Sequence, residues 1–246
     1  MAFDGFFCIA VANELNAWTG AKVEKLHQSA PSCLVLTLYR AGARKHLMLS
    51  ASASRPVLAL LEELPVHPED PTPLCMLFRK HLQNARLTGV DCVRNERILR
   101  FCFDSADELG YIHQKTIYAE MMGKYSNLIL TEGDGRILGA TSTADLTAAA
   151  RAVMPGMPYA LPPAQDKLDV RALTARECEA LCAASPEMAA DRFLVSRFYC
   201  FSPLLARELV YRACGRTDAR CAELAPGALW EQLRALDALL ANKDFR

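Results

Sequence analysis

Residues 3–17 begin with an apolar run and end polar, and Phe6, Ile9, Ala10 and Leu15 recur near helical spacing. The pattern predicts a helix. Asp4 stands at its N-cap position, where a carboxylate accepts from the free amides of a first turn. The period then shortens. Segments 22–28, 33–40 and 45–50 are β-rich and are separated by Ser29-Ala30-Pro31-Ser32 and Ala41-Gly42-Ala43, as in a meander. A polar loop with Pro65, Pro68, Pro71 and Pro73 follows. Residues 74–84 read as an amphipathic helix whose basic end suits the helix dipole. Strands are expected again at 87–93, 98–104, 115–121 and 127–131. Glu132-Gly133-Asp134-Gly135-Arg136 is a turn that joins the last of these to Ile137-Leu138 as a hairpin. The expectation is about eight strands with two or more helices.

The pattern changes where Pro155, Pro158, Pro162 and Pro163 crowd together, and a domain boundary with polyproline-type backbone is placed there. Beyond about residue 169 the chain reads as helical. Thr174 with Glu177 makes a capping box, Ser202-Pro203 starts a helix that runs to about Cys214, and 226–240 reads as the last one. The expected domains are 1–165 and 166–246.

Composition narrows the classes. The chain is 52% hydrophobic, enough for a packed core. Its 28 basic and 28 acidic residues cancel, so no global field points to nucleic acid or membrane. The mixture is uneven, however. No acid falls between Lys25 and Arg55 or between Pro71 and Val90. These stretches read either as one basic face or as solvated edges guarded by lysine and arginine. The opening Met1-Ala2-Phe3-Asp4 has no basic leader, and no run approaches the roughly 18 apolar residues of a membrane span. A soluble, cytoplasmic protein is expected. Ten cysteines are scattered without a C-x-x-C pair. Cys178 and Cys182 have the spacing of a metal pair, but no second pair or nearby histidine completes it, so buried free thiols are expected. Phosphate loop, nucleophile elbow, H-E-x-x-H and dinucleotide fingerprint are missing, so neither a catalytic set nor a cofactor is expected.

Several phrases, in order, resemble the NFACT family, which holds the fibronectin-binding-protein homologues and the RqcH ribosome-quality-control factors. They are Phe3-Asp4-Gly5-Phe6-Phe7, Val23-Glu24-Lys25-Leu26-His27-Gln28 and Cys75-Met76-Leu77-Phe78-Arg79-Lys80-His81-Leu82. Then come Glu96-Arg97-Ile98, Glu120-Met121-Met122-Gly123-Lys124-Tyr125-Ser126-Asn127, Pro155-Gly156-Met157-Pro158-Tyr159, Pro162-Pro163, Asp166-Lys167-Leu168 and Phe201-Ser202-Pro203-Leu204-Leu205-Ala206-Arg207-Glu208. The resemblance covers almost the whole chain. It implies an α+β fold: a β-sandwich with flanking helices, similar to the N-terminal domain of formamidopyrimidine-type DNA glycosylases, then a small all-α helix-hairpin-helix-like domain. It also implies that this is the front part of a longer protein, without the family's coiled coil and small RNA-binding domain.

The glycosylase chemistry needs an N-terminal proline amine beside an acid, whereas Ala2 and Phe3 stand there and no four-cysteine zinc finger follows. The resemblance implies a different role. The protein would bind tRNA, tRNA-Ala in particular, and the large ribosomal subunit carrying peptidyl-tRNA, and promote alanine addition without mRNA. The alternative is an adhesin for fibronectin or fibrinogen, with extracellular-matrix partners. Site residues carried over are Asp4, the pair Glu96 and Arg97, and Glu120, Met121 and Met122. The basic stretch adds Arg79 and Lys80 as RNA-binding candidates. An arginine fork can stack on an unpaired base or bind phosphate bidentately, and a carboxylate can accept from a base amino group. Position 96 is Glu where the family usually has Asp, which keeps the charge and lengthens the reach by one methylene. Bland readings stand beside these: an N-cap for Asp4, a surface ion pair in a turn for Glu96 and Arg97, and a solvated helix end for Arg79 and Lys80.

Overall fold

The computed structural model describes residues 3–144, 151–163 and 165–242. The chain divides into two compact units. One holds 11–93 and 97–163; the other holds the residues up to 10, 94–96, and those from 164 onward.

The first unit is a nine-stranded antiparallel sheet. Its strands are β1 Lys22–Ala30, β2 Cys33–Arg40, β3 Ala43–Ser50, β4 Val57–Leu61, β5 Arg86–Cys92, β6 Ile98–Ala106, β7 Ile112–Glu120, β8 Asn127–Glu132 and β9 Ile137–Ala140. The order is β4-β3-β2-β1-β5-β6-β7-β8-β9, two meanders back to back. They join where Lys22 pairs with Arg86, flanked by Val23 N–H to Ala85 O at 2.8 Å and Leu87 N–H to Ala21 O at 2.9 Å. This junction makes the two meanders one continuous hydrogen-bonded sheet. The strand that the pattern misses is β4. Val57-Leu58-Ala59-Leu60-Leu61 has no polar alternation, and only its pairing along β3 makes it extended. From Cys33 to Leu38, β2 is buried at every position, on both faces. Each fully buried leucine there contributes about 2 kcal/mol.

Beyond Val23, β1 leaves β5, and its open edge is covered by α2 (Pro73–Leu82). Thr72 caps α2 by accepting from Cys75 N–H at 3.1 Å, and Pro73 takes the first turn, where no N–H is needed. From its last turn, Arg79 Nε donates to Leu26 O at 2.7 Å, filling an edge acceptor that no strand reaches. The other side of α2 lies against β9. A Cβ on Gly139 would stand 2.3 Å from Leu77 Cδ2, so glycine permits this approach. A similar edge repair occurs at β5, where the Asn16 side chain exchanges both bonds with the Val90 backbone, at 2.6 and 2.9 Å.

The proline-rich segment is not a free linker. Ile137 N–H bonds Met157 O, Gly156 N–H bonds Ile137 O and Tyr159 N–H bonds Gly135 O, each at 2.8 Å. Residues 151–163 therefore belong with the sheet.

The second unit is helical: α3 Ala175–Ala183, α4 Ala190–Arg197, α5 Pro203–Cys214 and α6 Ala228–Asn242, with the start of α1 (Gly5–Asn16). The Thr174–Glu177 capping box and the Ser202 cap of α5 stand as the pattern predicts. Phe6, Phe193, Phe198 and Phe201 form the aromatic heart, meeting edge to face at centroid distances of 5.2 to 6.3 Å.

Candidate functional site

Arg97 immediately precedes β6, and Glu120 ends β7. Ile98 pairs with Glu120, and Met121 N–H bonds Arg97 O at 2.8 Å. The antiparallel register thus brings Arg97 beside Glu120, Met121 and Met122 at one end of the β6–β7 hairpin. Arg97 is exposed, and among the described residues its side chain makes no hydrogen bond or ion pair. Met121 is buried and anchors the hairpin end, while Met122 is half-buried. A 3-10 turn follows at Gly123–Tyr125, and Gly123 takes φ 61°. The turn presents Tyr125, 70% exposed, with Lys124 Nζ 4.8 Å from its ring centre. Glu96 is half-buried and groups with the helical unit.

Glu120 is 0% exposed. One carboxylate oxygen accepts from Arg151 Nη2, and the other accepts from the Tyr159 hydroxyl at 2.8 Å. Tyr159 stacks on Tyr118 at 3.8 Å and 16°, with the Arg151 guanidinium 5.6 Å from its ring. Burial pushes the Glu120 carboxyl up, and Arg151 and Tyr159 pull against it. Burial also raises the Tyr159 phenol, with the Glu120 charge adding to it. Both oxygens are engaged from within the protein, so Glu120 works as a clamp. It fixes the residues that follow β9 onto β7 and holds the Met121–Tyr125 end in place. Asn127 does similar work. Its amide bonds Ser142 O at 2.7 Å, and its oxygen accepts from Thr141 Oγ1 and Ser142 N–H.

Asp4 lies in the helical unit, buried. Its Oδ1 accepts from Phe7 N–H at 2.8 Å and caps α1. Its Oδ2 accepts from Ser202 Oγ at 2.6 Å. The same Ser202 oxygen accepts from Leu205 N–H and caps α5. One hydrogen-bonded pair therefore starts two helices. Asp4→Ala is expected to cost about 2 kcal/mol, from a lost cap and an orphaned buried hydroxyl. Urea unfolding checks this, and Asp4→Asn should recover part of it. A midpoint unchanged in Asp4→Ala would contradict the double-cap role.

Arg79 and Lys80 diverge. Arg79 turns to β1, as described above. Lys80 is exposed and lines a cleft of about 500 Å³ with His81, Asp107, Glu108, His113 and Lys115. That cleft lies at the far end of the β6–β7 hairpin from Arg97. Seven residues separate Ile98 from Ser105, about 24 Å at strand rise. The carried-over residues thus occupy separate places.

The two acid-free stretches do meet. His27 on β1 lies against His67, ring centres 3.9 Å apart and planes tilted at 54°, and burial pushes its imidazole down to about 4. His67, Arg79, Lys25 and His46 add positive charge in the same direction. The unfolded histidine titrates near 6.5, so between these values the native state binds fewer protons than the unfolded chain. Stability then rises with pH and falls as pH drops from 6.5 toward 4. Discounted for solvent screening, the expected loss is about 1 kcal/mol between pH 7 and 5. His27→Phe should flatten that part of the urea-midpoint profile. An identical slope in both proteins would contradict it.

Sequence reasoning passes over Tyr125, Lys124, Arg151 and Tyr159 as site residues. The first two sit inside a quoted phrase, and exposure of a tyrosine beside a lysine was the available signal. Tyr159 also closes a quoted phrase, but it and Arg151 are distant in sequence from Glu120, and nothing local ties them to it. The ten cysteines are thiols, with no disulfide among the described residues. Cys178, Cys182 and Cys221 line an apolar cavity of about 270 Å³ with Trp230. Burial pushes Cys178 up to about 11 and Cys221 up to about 12. Among the described residues no group of three or more His, Cys, Asp or Glu can hold a metal ion, and no helix is long and apolar enough to cross a membrane.

Comparison with known proteins follows the same lines. The chain matches the NFACT N-terminal and middle domains over residues 4–246. It is 33% identical over 217 residues to the Rqc2 homolog RqcH of Bacillus subtilis, covering 87% of this chain and 38% of that protein. The Rqc2 homolog RqcH of Streptococcus suis is 32% identical over 69% of this chain and 31% of its own length. The chain therefore spans 38% and 31% of the length of these relatives. Among solved structures it is similar to the N-terminal part of the fibronectin/fibrinogen-binding protein of Streptococcus suis. The TM-score there is 0.82 at 25% identity, over 96% of this chain and 85% of that one. The fibrinogen-binding protein of Staphylococcus aureus gives 0.80 at 27% identity, over 96% and 83%. The large antiparallel sheet with flanking helices is shared with these structures, and the chain belongs to the NFACT N-terminal family.

Proposed function

We propose that this chain is the recognition part of a ribosome-associated quality-control factor. It binds tRNA, with tRNA-Ala as the preferred species, and the large ribosomal subunit that carries peptidyl-tRNA. There it promotes alanine addition to the stalled chain without mRNA, in the cytoplasm. The peptidyl-transfer chemistry belongs to the ribosome, and the chain supplies positioning. The observation that carries this reading is the exposed Arg97, unpaired among the described residues, at a hairpin end that also displays Tyr125 and Lys124, in a family whose relatives are named RqcH. A free guanidinium and an exposed phenol ring are suited to an unpaired base and its phosphate. We assign Glu120, Met121 and Asp4 supporting roles, and Glu96, Met122, Arg79 and Lys80 RNA-contact roles. The finer fold reading belongs to this proposal too: a glycosylase-like sheet domain and a helix-hairpin-helix-like helical unit, supported by the succession of helices α3 to α6, of which α3 and α5 carry side-chain N-caps.

Filter binding at stated salt, with tRNA-Ala against other tRNAs, tests the proposal. Saturable binding with preference for tRNA-Ala is the expected result. Failure to bind any tRNA, together with failure to co-sediment with large subunits carrying peptidyl-tRNA, would sink it. A second reading, binding of fibronectin or fibrinogen, is favoured by the names of the solved relatives. Dose-dependent capture on immobilised fibronectin, abolished by soluble competitor, would support that one.

A further inference from the structure

We propose that Lys25, His27, His67 and Arg79 form a binding notch for a phosphate group, with a phosphodiester of RNA as its natural source. The proposal rests on the tRNA-binding reading for that source, but not for the chemistry.

The notch is made by tertiary packing. Arg79 Nε is spent on Leu26 O at 2.7 Å, which fixes the guanidinium against the open edge of β1. The Nη groups of Arg79 have no partner among the described residues. Lys25 and His27 are two positions apart on β1, so their side chains share one face. Lys25 pairs with Thr37 and Thr37 with His46, which places His46 in the same cross-strand row. His67 comes over this face from the segment between β4 and α2 and packs tilted against His27, ring centres 3.9 Å apart. Its Nδ1 lies 3.0 Å from Pro65 O.

Two features point to a ligand. Both ring nitrogens of His27 are shielded from solvent, and neither has a hydrogen-bond partner among the described residues. A shielded imidazole needs an acceptor for its N–H, and most such groups in proteins have one. Among the described residues neither nitrogen is bonded, and the charged groups that bear on His27 are His67, Arg79, Lys25 and His46, all basic. An oxyanion is the species that meets this environment. Its oxygens accept from His27, from His67 and from the Arg79 fork, and its charge removes the mutual repulsion of the basic groups. His67, on the connecting segment, stands over His27, its Nδ1 on Pro65 O. Because the anion stabilises imidazolium over imidazole, its binding takes up protons and tightens as pH falls.

The test is a titration of the whole chain, labelled with ¹⁵N-histidine, with inorganic phosphate at pH 7 and constant ionic strength set by chloride. The expected result is a saturable, joint shift of the His27 and His67 ring resonances toward the imidazolium pattern. His113, paired with Asp107 on another part of the sheet, should stay unmoved. Arg79→Gln should weaken the response about tenfold. His67→Ala, which leaves the Arg79–Leu26 bond intact, should change affinity without loss of fold. Adding tRNA in place of phosphate should move the same resonances, and Arg79→Gln should lower the salt slope of tRNA binding by about one. No shift beyond the chloride control, or equal shifts at all five histidines, would overturn the notch. Phosphate shifts without tRNA shifts support the site and make a free phosphate compound its source. Tight tRNA binding with silent His27 and His67 overturns the notch and leaves the tRNA reading standing.

Discussion

Glu120→Ala is expected to be the most damaging single change in the sheet unit, lowering unfolding free energy by about 3 kcal/mol. The carboxylate is fully buried and answers both Arg151 and the Tyr159 hydroxyl. Removing it leaves a largely enclosed guanidinium without its counter-charge and a buried phenol without its acceptor. Glu120→Gln should be milder, since an amide oxygen still accepts from Tyr159. The pair itself is not expected to be a large net gain, because burial raises the Glu120 carboxyl toward its neutral form. A Glu120→Met, Arg151→Met double variant should therefore recover much of the loss. Urea midpoints of the four proteins check this. If Glu120→Ala unfolds at the wild-type midpoint, the clamp is not a structural element. If Glu120→Ala also loses tRNA binding, the double variant separates the causes: recovered stability with binding still absent would make Glu120 a contact residue.

Arg97→Ala should behave in the opposite manner. Its side chain is exposed and unpaired among the described residues, so the unfolding midpoint should stay within about 0.5 kcal/mol of wild type. Affinity for tRNA should fall about tenfold, the scale of one good arginine contact to nucleic acid. Arg97→Lys keeps the charge but loses the planar fork, so it should restore the salt dependence without the full affinity. Equal tRNA affinity before and after Arg97→Ala would remove this residue from the site.

Together these two variants test a division that runs through the phrase Glu120-Met121-Met122-Gly123-Lys124-Tyr125-Ser126-Asn127. Its buried members, Glu120, Met121 and Asn127, hold the hairpin end, and its exposed members, Lys124 and Tyr125, are what that end displays. A linear motif reads the same for both kinds of residue. Only the register of β6 against β7 and the return of Arg151 and Tyr159 to the sheet separate them.

Much of the architecture is legible locally, because the interactions that make it are local. Helix starts at Asp4, Thr174 and Ser202 are marked by side chains that bond amides three residues on. The turn at Glu132–Arg136 is marked by Gly135 at φ 87°, a conformation glycine adopts without strain. Strand periodicity shows most of the sheet. It misses β4, whose extended form comes from its partner, and it cannot tell two sheets from one, because the β1–β5 junction joins residues about sixty apart. The site is less legible still. The amino-acid order alone places Arg97 and Glu120 in matching phrases, and it shows two stretches without acid. It does not show that Arg97 is exposed while Glu120 is occupied, or that Arg79 and Lys80, neighbours in the chain, face different parts of the sheet. Burial and long-range pairing settle those points, since a charged side chain becomes a support or a contact according to what the folded chain brings next to it.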